Sequence, residues 1–411
     1  MAKNESVAAE RTAAPLQWRP PRTWLMMGHK AGDNSQILAL AEAVGWPFEI
    51  KRLTYRKTEI LTNLFAGPTL KGLIRSKSDP LEPPWPELII SAGRRNEPLV
   101  RWIQREAGGP GKVKLVHAGR PWALHECFDL IVTTPQYRLP DKPNILQNEA
   151  PMHRVTQARL DAAAARLAPS LADLPRPFIS VIIGGNAGPY VLDRENGALL
   201  GYHASKLAQS LGGSLLVTTS ARTPAKAVDA FLSEIHVPAF VYRWRKDDPD
   251  NPYFGILAMA DRHIVTADSM SMMVEACVTR KPVLLFDFSR GPDSHRPPLP
   301  TDHRLQGSSC LARLQDWKLQ PYSFRFGLRY APTRLTRDVT LIHKRQVELG
   351  RCVWLGEPWP DDRPMPPPLA DVERAAARVR ALFDPANQTA TPRRVPKGPP
   401  LMPAFLRRFF Q

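Results

Sequence analysis

The chain has 411 residues and a formal charge of +17, with 43% hydrophobic and 23% charged residues. That mix excludes disorder throughout, and at roughly 150 residues per domain the length suggests two or three domains. The charge points to an anionic partner, whether nucleic acid, acidic lipid or a phosphate-bearing substrate, and no apolar run approaches the ~18–20 residues that span a bilayer.

The first 20 residues are polar and contain proline and alanine; they read as a loose arm without the apolar segment of a secretory signal. Periodicity starts at Trp24. The run Trp24-Leu25-Met26-Met27 ends at Gly28 and predicts a buried strand. Ile37, Leu38, Leu40, Ala41 and Val44 follow at helical spacing. Strand-like runs recur at 88–91, 113–117 and 129–133, with a helix expected over 97–106. Strands alternating with helices predict βαβ units and a mostly parallel sheet.

A second series begins after Pro175 and Pro177. Strands are expected at 178–183, 214–219, 239–242, 262–266 and 282–286, with helices over 201–211, 224–235, 253–260 and 270–279. The pattern fails from 289 to 332, which reads as loops. Two helices follow, near 335–349 and 369–383. The second carries Leu369, Val372, Ala376, Val379 and Leu382 in one stripe.

The expected architecture is α/β: two facing Rossmann-like domains with a cleft between them and C-terminal helices. The organisation is an arm at 1–20, an N-terminal domain at 21–172 with a linker near 170–177, and a C-terminal domain at 173–332. Helices at 333–385 pack back on the domains, and a basic, proline-rich tail occupies 386–411. Cys127, Cys277, Cys310 and Cys352 are scattered without a Cys-x-x-Cys pair and read as reduced thiols of a cytosolic protein.

In open α/β sheets ligands bind beyond the carboxyl ends of the strands, so the loops there carry the candidate chemistry. The first loop, at 28–36, joins a strand to a helix. Gly28, Gly32 and Asn34 suit an anion at the helix start, while Asp33 or Asn34 could simply cap it. The second sets Gly93 beside Arg94 and Arg95 at another helix start. The third ends a strand on His117, a general base or sugar contact unless it is a structural histidine.

The fourth, Gly184-Gly185-Asn186-Ala187-Gly188, would let the backbone approach a phosphate. In the fifth, Ser220, Arg222 and Thr223 precede Pro224 and offer two hydroxyls and a guanidinium, with helix capping by Thr223 compatible. The sixth is the most specific: Asp268-Ser269-Met270-Ser271, then Glu275. Ser269 and Ser271 could join backbone amides on a diphosphate. Glu275, four residues past Ser271, shares its face and could accept ribose hydroxyls; Asp268 is the alternative cap.

The last three loops resemble the carboxyl-terminal domain of GT-B glycosyltransferases and of non-hydrolysing UDP-sugar epimerases. More closely, the chain from about Trp24 to Phe383 resembles the mitochondrial-fission "elongated mitochondria" family. The residues that carry the resemblance are Gly32-Asp33-Asn34-Ser35-Gln36, Gly184-Gly185-Asn186, Ser220-Ala221-Arg222-Thr223-Pro224 and Asp268-Ser269-Met270-Ser271-Met272-Met273-Val274-Glu275. The first loop departs from the family's usual form at His29 and Lys30. Plant members are implied to sit on the outer mitochondrial surface and recruit a dynamin-type GTPase. Glu5 and Glu10 argue against a transit peptide here, so a bacterial cytosolic member is the simpler reading.

The resemblance implies a nucleotide-diphospho-sugar held by Gly184, Gly185, Asn186, Ser220, Arg222, Thr223, Asp268, Ser269, Ser271 and Glu275. His29, Asp33 and His117 are the candidate bases of a glycosyltransferase or epimerase. Arg94 would steady the leaving diphosphate, with Gly32, Asn34 and Gly93 completing an anion loop. No cofactor beyond the sugar nucleotide is expected. The alternative is a non-catalytic adaptor that binds a protein or an anionic membrane surface through its basic face. The tail residues Phe405-Leu406-Arg407-Arg408-Phe409-Phe410 mix aromatics and arginines as interfacial segments do. On that reading the protein is cytoplasmic and touches the inner face of a membrane peripherally. Nucleic-acid motifs are absent, and the irregular His295 and His303 spacing argues against a metal.

Overall fold

The computed structural model describes residues 18–56, 67–291, 294–298, 319–333, 336–362 and 364–384. The expected strands fall within these spans; most of the N-terminal arm, His303, Cys310 and the whole tail at 386–411, Phe405 to Phe410 included, lie outside the described residues.

Two parallel six-stranded sheets make the frame. The first has the order β2-β1-β3-β4-β5-β6, from β1 (Thr23–Met27), β2 (Phe48–Arg52), β3 (Leu88–Ala92), β4 (Lys114–Ala118), β5 (Leu130–Thr133) and β6 (Ile145–Gln147). The second has the order β12-β11-β10-β7-β8-β9. Its strands are β7 (Phe178–Ile182), β8 (Ser214–Thr218), β9 (Ala239–Tyr242), β10 (Arg262–Thr266), β11 (Val283–Phe286) and β12 (Val353–Trp354). Central strands such as β3 and β7 are buried at every position, as strands covered on both faces must be.

The helices are α1 (Ala31–Val44), α2 (Glu97–Glu106), α3 (Gln157–Leu167), α4 (Arg194–Leu211), α5 (Ala225–Leu232), α6 (Tyr253–Met259), α7 (Met270–Val278), α8 (Gln320–Tyr330), α9 (Thr340–Glu348) and α10 (Asp371–Ala381). In the first sheet Leu25, Ile90, Val116 and Val132 pack with α1 and α10, while Trp24, Ile89, Leu115 and Ile131 pack with α2 on the other face. The alternation along each strand sends neighbours to opposite faces.

Three features depart from the sequence reading. The edge strands β2 and β6 are exposed or short, so they lack the continuous apolar run of the central ones. The 289–332 stretch, read as loops, contains α8, none of whose residues is fully buried; Phe324 rests half-buried against the second sheet's core. Helix α3, which the sequence reading did not predict, lies in the stretch assigned to the first domain, yet it packs against α6 beside the second sheet; Gly255 lies against Ala163 and Leu167. By core membership the chain passes to the second sheet near Ala150 and Val155, earlier than the expected 170–177.

The C-terminal helix returns to the first sheet. Val372, Ala375, Ala376 and Val379 enter its core beside α1. Arg380 donates to the carbonyls of Ala43 and Val44, satisfying the end of α1. The Asp371 carboxylate accepts the Glu149 and Ala150 amides at 3.0 and 2.9 Å, anchoring α10 where the chain crosses between sheets.

Each sheet has one topological switch point. After β1 the chain adds β2 on one side and then β3 on the other; after β7 it adds β8 and β9 on one side and then β10 on the other. The crevices at β1/β3 and β7/β10 are therefore where this architecture opens a binding site. The first and second candidate loops border one crevice, and the fourth and sixth border the other.

Candidate functional site

At the second switch point the loops are interlocked around one carboxylate. Asp268 follows β10 and is 2% exposed. It accepts the Gly185 amide at 2.8 Å and the Thr266 hydroxyl at 2.8 Å, and pairs with the Arg222 guanidinium at 2.9 Å. Burial pushes its carboxyl above the ordinary range, opposed by Arg222, the Gly185 amide and Thr266. Asp268 is thus a buried tie between three loops and not a helix cap.

The two glycines are explained by the same packing. A Cβ on Gly184 would overlap the Asp268 carboxylate, and one on Gly185 would overlap the Arg222 carbonyl. The close approach they permit is to their own neighbours. The Ser220 hydroxyl donates to the Gly184 carbonyl at 2.9 Å, and the Thr223 hydroxyl donates to the same oxygen while accepting the Ser220 amide at 2.8 Å. Asn186 accepts the Leu192 amide at 2.8 Å. Gly184, Gly185, Asn186, Ser220 and Thr223 therefore hold loop against loop, and Arg222 stays half-exposed at the rim.

Helix α7 starts from this platform. Ser269 is its N-cap residue, yet its side chain makes no capping hydrogen bond, and Ser269 and Ser271 are half-buried at the open end of the helix. The Ser271 hydroxyl reaches across to the first half: it lies 3.5 Å from where a Cβ on Gly32 would stand. One turn on, Glu275 is nearly buried and accepts the Tyr253 hydroxyl at 2.6 Å. Burial pushes its carboxyl up to about 7, against the Tyr253 bond.

The first switch point supplies the opposite wall. The loop after β1 is braced by Asn34, whose side chain accepts the Gly28 amide at 3.0 Å and donates to the Gly28 carbonyl at 2.8 Å. Asn34 is thus a brace, and Lys30 holds the N-cap of α1 without a side-chain cap. Gly93 has φ +72°, and a Cβ there would sit 2.6 Å from Asp33 Oδ2, so Asp33 spans the crevice to the loop after β3. Lys30 keeps solvent access, but desolvation at the gap draws its ammonium below the usual lysine range; Asp33 opposes this, while Arg337, Arg94 and Arg95 reinforce it. Arg337 in turn approaches the Met270 sulfur at 3.6 Å, at the start of α7. Arg337 was missed by the sequence reading because it belongs to neither strand series.

Two of the candidate bases are placed otherwise than expected. His117 is fully buried within the first sheet, with Nδ1 3.0 Å from the Ser91 hydroxyl and its ring packed on Phe128. Burial pushes its imidazole down to about 3, so it is a neutral core histidine and cannot meet a ligand in the gap. His29 is exposed and its ring nitrogens lie 2.9 and 3.0 Å from Arg95 Nη1. Arg94 stacks over the Trp122 ring at 4.7 Å. Among the described residues no group of His, Cys, Asp or Glu is arranged to hold a metal ion, and no helix is long and apolar enough to cross a membrane.

Residues 31–297 match the family described as Mitochondrial fission ELM1. The chain belongs to that family. It is 29% identical over 242 residues to the mitochondrial fission protein ELM1 of Arabidopsis thaliana, a match covering 52% of this chain and 54% of the plant protein. The chain thus spans about half the length of that relative. It is 24% identical over 296 residues to an uncharacterized protein of Rickettsia prowazekii, covering 64% and 82% of the two chains. Among solved structures, the UDP-GlcNAc 2-epimerase of Methanocaldococcus jannaschii in complex with UDP-GlcNAc and UDP aligns with TM-score 0.44 at 11% identity, over 88% of this chain and 99% of that one. MurG of Acinetobacter baumannii aligns with TM-score 0.39 at 12% identity, over 90% and 96%.

Proposed function

We propose that this ELM1-family chain binds a nucleoside-diphospho-sugar in the gap between the two sheets. The observation that carries the reading is the start of α7: Ser269 and Ser271 stand uncommitted at a helix N-terminus that faces Gly32, with Glu275 one turn deeper. A diphosphate at that terminus would take backbone amides and the two hydroxyls. Glu275, once ionised, would accept ribose hydroxyls and release the Tyr253 bond in part. Lys30 and Arg337 would face the diphosphate from the other side, and Arg222 from the rim.

In a transfer or epimerisation, charge grows on the leaving diphosphate as the bond to the sugar breaks. Cations already in place lower that barrier without reorganising. Asp33, half-buried against Gly93, is the base candidate left on the first wall once His117 is buried and His29 is engaged by Arg95. A thermal-shift screen over UDP-, GDP- and ADP-sugars tests the reading. A raised melting temperature for one nucleotide class, lost in Ser271→Ala combined with Glu275→Ala, is the expected result; no shift with any of them would refute it.

A second reading is a nucleotide-binding adaptor without turnover. The withdrawal of His117 into the core favours it, since it removes one of the three candidate bases. It predicts tight sugar-nucleotide binding with no hydrolysis, transfer or epimerisation of the bound sugar over hours.

A further inference from the structure

Outside the gap, the first half carries a separate pocket of about 800 Å³. Its lining includes Arg56, Lys71 and Arg75, the hydroxyl residues Thr69 and Ser76, and Trp102. Among the described residues the remaining lining is leucine and isoleucine, and no carboxylate contributes. The size falls in the range of small-molecule sites, about 300–1,000 Å³.

Its walls are fixed by the fold. The Arg56 amide donates to the Gly72 carbonyl at 2.9 Å, the Ile74 amide to the Thr54 carbonyl at 2.8 Å, and the Thr69 amide to the Pro98 carbonyl at 3.1 Å. Tyr55 and Leu73 form an antiparallel bridge beside them. Trp102 is held edge-on by Trp85, which packs on Trp24 in the sheet core. The pocket is therefore a preformed cup with a rigid aromatic wall and three exposed cations around it.

Arg56, Lys71 and Arg75 have no ion pair among the described residues, in a chain where many surface arginines do have one, such as Arg19 with Glu87 and Arg154 with Glu42. Three like charges facing one concavity repel each other until an anion enters. Guanidiniums favour phosphate oxygens through paired N–H donors, and threonine and serine hydroxyls can add donors to the same group. The indole and the aliphatic lining suit an apolar or planar portion of the same ligand.

We propose that this pocket is a second anion site, which takes a phosphate or diphosphate ester bearing an apolar or planar group, independently of the gap between the sheets. The ester could be soluble or the headgroup of a lipid; the chemistry at the pocket is the same.

The test is isothermal titration of inorganic pyrophosphate into the full-length chain, into Arg56→Ala/Arg75→Ala and into Arg222→Ala. The two pocket arginines are exposed, so melting temperatures should match the parent and confirm folding. The expected result is saturable binding weakened at least about tenfold by the pocket double variant and little changed by Arg222→Ala. Undetectable binding to the parent, or weakening by Arg222→Ala with none in the pocket variant, would overturn the proposal. Because the second outcome would put the anion in the gap, the two sites are separated by the same experiment. Co-sedimentation with phosphatidylcholine vesicles, with and without phosphatidic acid, then assigns the source. Retention only with phosphatidic acid, lost in the pocket variant, supports a lipid headgroup. Pyrophosphate binding without vesicle retention supports a soluble ester.

Discussion

At the first switch point a half-buried Asp33 spans from the loop after β1 to Gly93; at the second a buried Asp268 spans from the loop after β10 to Gly184 and Gly185. Both sheets thus bridge their crevice with an aspartate lying on glycine backbone. The difference is in what surrounds it. Around Asp268 the hydroxyls of Thr266, Ser220 and Thr223 and the Arg222 guanidinium are committed to holding loops together. Around Asp33 gather cations, Lys30, Arg94, Arg95 and Arg337; desolvation first, and then the field of the three arginines, lowers the Lys30 ammonium. One wall is stiffened by hydrogen bonds and the other is charged, a division that suits a ligand positioned by the second wall and neutralised by the first.

The largest contrast should come from the glycines. Gly185→Ala drives a Cβ into the Arg222 carbonyl, so we expect a loss of about 3 kcal/mol or more in denaturant unfolding. Gly32→Ala meets only Ser271 Oγ at 3.5 Å and lies in α1, so its stability should change by less than about 0.5 kcal/mol while ligand binding in the gap weakens. Equal costs at the two positions would break the contrast.

Next come the aspartates. Asp268→Asn should cost about 2–4 kcal/mol, because it leaves the Gly185 amide facing an amide in a buried site and removes the Arg222 partner. Asp33→Asn, half-buried, should cost under about 1 kcal/mol by the same measurement.

A pH-dependent effect is expected from Glu275. Its carboxyl is raised from an ordinary 4.5 to about 7, so the folded chain holds a proton that the unfolded chain releases between those values. The stability it contributes is present below pH 4.5 and declines as pH rises to about 7, by at most about 3 kcal/mol. Glu275→Gln should flatten that part of the stability curve measured by urea titration from pH 4.5 to 8; an unchanged slope would count against the buried carboxyl.

The smallest contrast lies in the sheet cores. Ser91 and His117 are register partners on β3 and β4, and Ser180 and His263 are register partners on β7 and β10. Each serine meets Nδ1 of its histidine, at 3.0 and 2.7 Å. His263 Nε2 lies 2.9 Å from the Thr279 hydroxyl, whereas His117 Nε2 has no hydrogen-bond partner among the described residues. Replacement by leucine should therefore cost about 1 kcal/mol more at His263 than at His117. Both imidazoles are depressed to about 3, so each contributes stability that is lost as pH falls below 6.5.

The strands and helices with strong periodicity were legible in the chain. Residues 24–27, 88–91, 178–183 and 262–266 fall on β1, β3, β7 and β10 with shifts of about a residue. What the sequence hides is set by partners far along the chain. Helix α8 has no buried residue, β12 is two residues long, and α3 joins the second sheet through contacts with α6 and through Leu167 beside Phe178 and Leu216. At the candidate site, residue types at strand ends pointed to loops that border the two crevices, but not to how their side chains are engaged. Asp268 and Thr223 look like caps in sequence and are ties between loops, and His117 looks like a strand-end base and is buried beneath Phe128. Those roles depend on which strands neighbour each other, and strand order is not written in local sequence.

The most direct test of the account is isothermal titration of UDP into the full chain and into Glu275→Ala and Arg222→Ala. We expect saturable binding to the parent, weakened at least about tenfold in Glu275→Ala and several-fold in Arg222→Ala, with all three chains folded by circular dichroism. Binding of equal strength in Glu275→Ala would contradict the placement of the nucleotide on α7.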